Sequence, residues 1–388
     1  MEKVNKIADL VLLLSFLMII SSCKQHTDDP LTTIHVDLDK EDSRIWGNIF
    51  TDVEIIPLEL TSESILVNIE KVLFQDGNYL IFDKDQSFVY KFNDEGEFLS
   101  KLDKVGNGPG EYQSIYDVII NPYNDNIELM SAIGSIYIYD KNFNWIETID
   151  LPDIRSVHKF QVFSEDIIAL YSYDFDIDGN LLLYSRTKKE YVRKISPKST
   201  VFERKNFVML SNPLVKSPDG LMYCAPFSNE VYNIGLDGTK LAYTWDFGKY
   251  NFDPGSVAVS DSQEDVQKVI DSNINRNFAT FYTYLENGSK IFMQFMFKGE
   301  VGNLVYHKEI ADYKVYLGHV AANAAVLLDD GFVAYSQREH LEKTIPETKR
   351  KLFMDELYLD HNHEDNPYLV KYRFNDLIED ATDVSRER

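Results

Sequence analysis

The sequence predicts an all-β fold: a six-bladed β-propeller of four-stranded antiparallel blades, closed by the N-terminal strand and carrying two short helical insertions. Three observations predict it. Apolar and polar residues alternate with period two, the pattern of strands, from about residue 52 to residue 374. A four-strand unit with tight turns recurs six times along that stretch, the periodicity of a repeat architecture. The 24 Tyr and 24 Phe suit pleated, half-buried surfaces.

The first unit reads most clearly. Strands are predicted over 69–74 and 78–82 around the turn Gln75-Asp76-Gly77, then over 87–92 and 97–102 around Asn93-Asp94-Glu95-Gly96. The second unit spans 115–120, 126–131, 135–139 and 144–149. The third spans 158–163, 166–172, 180–186 and 190–195. A fourth has its first strand near Leu214, followed by 220–224, 230–234 and 240–246. The fifth comprises 279–285, 290–297, 301–307 and 313–317. The sixth has only 323–328, 331–336 and 368–374, one strand short. Residues 53–58 form an unassigned strand that can complete it, and a ring closed by both chain ends leaves no open edge.

Two segments depart from the strand pattern. Residues 262–272 begin with Ser262-x-x-Asp265, a capping-box-like start, and carry Val266, Val269 and Ile270 at helical spacing. Residues 346–357 place Pro346 in a first turn ahead of Leu352, Phe353 and Leu357.

The N-terminus reads as an export signal. Lys3 and Lys6 precede an apolar run over 10–20, too short to cross a bilayer. Ile20-Ser21-Ser22-Cys23 follows and resembles a bacterial lipobox. That resemblance implies a signal peptide over 1–22 and a lipidated Cys23 anchoring the chain in the membrane. Residues 23–50 are then expected as a tether, 51–376 as the propeller and 377–388 as a tail. Lys24 stands where Asp would signal inner-membrane retention, so the resemblance implies an outer-membrane lipoprotein. Asp28-Asp29 looks like the acidic tract of surface-exposed ones. Removing 1–22 takes away two lysines and two acids, so the net charge stays at −24. Such a body repels phosphate backbones, which argues against nucleic acid as a partner. With Cys23 assigned to lipid, Cys224 has no cysteine to pair with inside the chain.

Asp103-Lys104-Val105-Gly106-Asn107-Gly108-Pro109-Gly110-Glu111-Tyr112 is similar to the G-x-G-P-G-E-Y segment of six-bladed β-propeller lipoproteins of Bacteroides-type bacteria, relatives of TolB-like propellers. Asn366-Pro367-Tyr368-Leu369-Val370 resembles that family's N-P-x-L-V closing strand. The resemblance covers nearly the whole chain after the signal. It implies the fold and export, and no reaction.

Propeller geometry then sorts the loops. Those joining strands one to two and three to four share one face and are short. The long ones, 104–114, 173–179, 247–277 and 337–367, all fall on the other face. Long loops on a rigid scaffold commonly carry function. On that face Glu111, Tyr112, Asp174, Asp176 and Asp178 are candidate ligand contacts. The Gly106–Gly110 loop lacks the lysine and following helix of a phosphate loop, so it also reads as a turn latched by Glu111 and Tyr112. Asp174, Asp176 and Asp178 alternate ahead of Gly179, as at the start of a calcium loop. The later ligands are missing, with Leu182 and Ser185 in their places, and an acidic hairpin tip is the alternative. His361-Asn362-His363-Glu364-Asp365 lacks zinc-site spacing and reads as a solvated loop. No Ser-His-Asp, G-x-S-x-G or Cys-His signature is present. The expected function is therefore a lipid-anchored binding module whose long-loop face takes a glycan, a peptide or an envelope protein. The alternative is a propeller hydrolase, lyase or lactonase with a calcium-assisted acidic site at the channel mouth.

Overall fold

In the computed structural model, which describes residues 32–375 except 132, 154–156, 173–180, 197–211, 226, 254–256, 259–261, 272–276, 319, 322, 338, 342–344 and 346–365, the strands form six sheets. The described chain enters as β1 (Thr32–His35), a 3-10 turn over Glu41–Arg44 and the single-turn helix α1 (Trp46–Ile49), then β2 (Phe50–Pro57). Blade one is β3 (Ile69–Gln75), β4 (Asn78–Asp83), β5 (Phe88–Asn93) and β6 (Phe98–Leu102). Blade two is β7 (Ile115–Ile120), β8 (Ile127–Ser131), β9 (Ser135–Tyr139) and β10 (Trp145–Asp150). Blade three is β11 (Val157–Val162), β12 (Ile167–Ser172), β13 (Leu181–Ser185) and β14 (Glu190–Ile195). Blade four is β15 (Leu214–Ser217), β16 (Gly220–Cys224), β17 (Glu230–Gly235) and β18 (Gly238–Asp246). Blade five is β19 (Thr280–Glu286), β20 (Lys290–Phe297), β21 (Glu300–His307) and β22 (Asp312–Leu317). Blade six is β23 (Asn323–Leu327), β24 (Gly331–Ser336), β25 (Tyr368–Phe374) and, as its outer strand, β2.

Closure is by pairing of the two chain ends. β2 runs antiparallel to β25 with Val53 opposite Tyr372 and Ile55 opposite Val370. Phe50 from β2 packs its ring 5.4 Å from Tyr372 and 6.0 Å from Phe332, so the N-terminal strand also enters the core. The first strands make a closed inner ring in the order β3, β7, β11, β15, β19, β23 and back to β3.

Because each blade is covered on both faces, the period-two alternation fades in the middle strands. All five residues of β13 are buried, whereas outer β10 is mostly exposed. A separate apolar core fills each gap between blades. Phe160 with Met130 sits between blades two and three, and Trp245 with Phe295 between four and five. Turns between first and second or third and fourth strands run from two to six residues. One of the two-residue turns, Asp76-Gly77, has φ of 50° and 75°, a left-handed pair that matches the twist of a hairpin.

One expectation changes. The stretch 23–50, read as a tether, is a packed strap over its described part. β1 adds a fifth strand beside β18, the Val36 amide donates to the Asp246 carbonyl at 2.8 Å, and Arg44 donates to the Leu317 carbonyl at 3.2 Å. Ile34, Val36, Leu38 and Ile49 are buried. The strap thus covers the rim of blade four, crosses blade five and enters blade six. Its short elements escaped notice because charged residues interrupt the apolar pattern. Of the two insertions, α2 (Gln263–Val269) is present, and Ser262 Oγ accepts its first-turn hydrogen bond from the Asp265 amide at 3.1 Å. Val266 and Ile270 seat it on Phe227 and Phe252. The helix expected at 346–357 lies outside the described residues.

Candidate functional site

Three inner strands start alike: Ile69-Glu70-Lys71-Val72, Ile115-Tyr116-Asp117-Val118 and Val157-His158-Lys159-Phe160. In each the register slips at the second residue, a bulge that re-aims the side chains beside it. β19 and β23 carry the same irregularity at Tyr282 and Ala325. The bulges put charged third residues where three blades converge.

Asp117 is the hub, with its side chain 0% exposed. Lys71 Nζ donates to its Oδ1 at 2.9 Å, and the Phe160 amide donates to Oδ2 at 3.2 Å. Lys159 Nζ lies 4.0 Å from Asp117 and donates to Glu70 Oε1 at 2.8 Å. Lys84 approaches Glu70 from the other side at 3.5 Å. Burial pulls both inner lysines down, but Asp117 and Glu70 together outweigh it at Lys159 and raise its pKa. At Lys71 burial prevails over Asp117, and repulsion from Lys159 adds to it, so its pKa is lowered. Burial, then Lys159 and Lys84, likewise lower that of His158.

This cluster lines one side of a channel cavity of about 510 Å³ to which all six blades contribute. Asn212, Tyr282 and Asn323 stand toward the long-loop end, and Phe74, Lys216 and Glu286 toward the short-loop end. The Glu286 side chain is 0% exposed and saturated, accepting from Ser217 Oγ at 3.1 Å, Tyr284 OH at 2.9 Å and Lys308 Nζ at 2.7 Å. Lys216 donates to the Phe163 carbonyl at 3.2 Å and, among the described residues, pairs with no carboxylate; burial lowers its pKa. The Tyr282 hydroxyl is buried and, among the described residues, has no hydrogen-bond partner.

The candidates read from sequence fare differently. Tyr112 is 1% exposed and packs with Leu102, Ile115 and Tyr139, so it is a core residue and offers no surface to a ligand. Glu111 is exposed, but its Oε2 accepts the Gly108 amide at 2.7 Å, and a Cβ on Gly106 would collide with it. The latch reading of this loop therefore prevails. Asp174, Asp176, Asp178, the 361–365 stretch and Cys23 lie outside the described residues. Among the described residues no three His, Cys, Asp or Glu are grouped to hold a metal ion. Sequence reasoning missed the channel lysines. The signal was the recurring apolar-x-charged-apolar start of the first strands, visible as soon as the blades are aligned on one another.

A family profile described as "Domain of unknown function (DUF4934)" matches residues 31–373. Among solved structures, a Bacteroides fragilis protein inferred to be exported superposes with a TM-score of 0.67 at 16% identity, covering 89% of this chain and 99% of that one. A member of the DUF4221 family from Bacteroides vulgatus superposes with a TM-score of 0.55 at 10% identity, covering 84% and 98%. No curated protein matches the chain.

Proposed function

We propose that this chain, which belongs to the DUF4934 family, is an exported binding module whose ligand enters the propeller channel from the long-loop face. The observation that supports it most is the cavity of about 510 Å³ walled by all six blades, a size that suits a small ligand. A rigid ring supplies preorganised side chains, and the carboxylates around it are engaged by lysines instead of standing free as acid–base pairs. Export is supported by the signal-like N-terminus and by the neighbour from Bacteroides fragilis that is itself inferred to be exported. On this reading Cys23 carries the lipid that holds the module to the outer membrane.

The test fills the channel. Ala325 lines the cavity on blade six and is partly exposed. Ala325→Trp should abolish binding across a panel of neutral and acidic saccharides that the wild type recognises, with thermal unfolding unchanged. Retained binding in a folded Ala325→Trp protein would place the ligand elsewhere.

A further inference from the structure

We propose that the channel takes an uncharged pyranose, seated with its apolar face toward blades five, six and one and its hydroxyls toward Gln161 and Asn212. This rests on the reading of the channel as the binding site and adds the chemistry of the ligand. The two sides of the wall differ. Leu73, Leu285, Ala325 and Leu327 line the cavity from blades one, five and six, each partly exposed. Blades three and four stand across the ring from blades six and one. From that side come the amides of Gln161 and of Asn212, the latter just ahead of β15. A pyranose carries the matching pair of surfaces, a face of C–H groups and an edge of hydroxyls.

Both amides are fixed in one sense. Gln161 Oε1 accepts the Val162 amide at 2.9 Å, and Asn212 Oδ1 accepts the Leu214 amide at 3.1 Å. Among the described residues neither side-chain nitrogen has a hydrogen-bond partner, so each is a donor left for an oxygen in the cavity. The charged groups of the wall are otherwise engaged. Lys71 is spent on Asp117, Lys159 on Glu70, Glu286 on Lys308, and Lys216 on the Phe163 carbonyl. A wall that largely answers its own charges offers an ionic ligand little to replace its hydration, and a desolvated charge without a counter-charge is costly. An uncharged ring meets no such cost. An apolar lining with a few polar groups that set orientation is also the general build of small-ligand sites.

The experiment is calorimetric titration of the full chain carrying Cys23→Ala with matched sets of sugars. These are galactose, galacturonate and galactosamine, then glucose, glucuronate and glucosamine, with mannose and xylose as further neutral rings. A neutral sugar should bind, and added salt should leave its affinity unchanged. Its acidic and amino forms should bind more weakly by about tenfold or more. Gln161→Leu should weaken the neutral sugar by about tenfold while melting with the wild type. An acidic or amino form that binds as tightly as its neutral parent overturns the proposal and leaves the channel as the site. Neutral binding that ignores Gln161→Leu also counts against it. Neutral binding that survives Ala325→Trp overturns this proposal together with the broader reading. Failure of every neutral sugar at millimolar concentration overturns the pyranose, and the acidic saccharides then judge the channel through Ala325→Trp.

Discussion

Lys159 and Glu70 belong to blades that are not neighbours, yet Lys159 Nζ lies 2.8 Å from Glu70 Oε1. The pair spans blade two, whose Asp117 sits between the lysines of blades one and three. One network therefore ties three blades at the channel.

Breaking the hub should be severe. Asp117→Ala leaves Lys71 and Lys159 facing each other with one carboxylate fewer in a buried site. Removing one partner of a buried ion pair costs about 3–5 kcal/mol. The midpoint of urea unfolding should fall accordingly, whereas Asp94→Ala in an exposed turn should stay within about 0.5 kcal/mol.

The loop after blade one should respond as scaffold. Tyr112→Ala removes a fully buried aromatic ring and should cost about 3–5 kcal/mol. Glu111→Ala loses the acceptor of the Gly108 amide and should cost about 1 kcal/mol. Both losses should be read in thermal unfolding. A Glu111→Ala protein of wild-type stability that no longer binds saccharide would restore this residue as a ligand contact.

The strap should hold the ring shut and should be acid-sensitive. Phe50→Ala opens the aromatic cluster of blade six and should cost about 3–5 kcal/mol in one cooperative transition. At the other end, the Gly248 amide and Asn251 side chain, then His35, hold the Asp246 carboxyl below its usual 3.8. A carboxyl depressed in the folded state contributes stability that is present above about pH 4 and is lost as pH falls through its folded value. Stability should therefore drop below about pH 4, and Asp246→Asn should flatten that drop. An unchanged acid slope in Asp246→Asn would remove this carboxyl from the account.

Most of the fold was legible in the sequence because strand alternation, turn residues and a missing sixth-blade strand all constrain the same ring. Residues 53–58 found their partner in 368–374 for that reason. The strap was not legible, since β1 is four residues long and gains its stability from the edge of β18 instead of its own pattern. The site was less legible still. Lys71, Asp117 and Lys159 stand 46 and 42 positions apart in sequence and meet only when three blades close. The three glycines of the 106–112 loop have the look of a binding motif, yet they belong to a turn that Glu111 latches.

The most direct test of the channel is protection of a single thiol within it. Cys224 is fully buried, and burial followed by the charge of Glu286 pushes its thiol well above the usual range, so it should not react. In a Cys23→Ala background, Ala325→Cys places one accessible thiol in the channel and Asp94→Cys places one on a short turn. A saccharide that binds the protein should slow maleimide labelling at position 325 and leave position 94 unaffected. Equal labelling rates at position 325 with and without saturating saccharide would contradict binding in the channel.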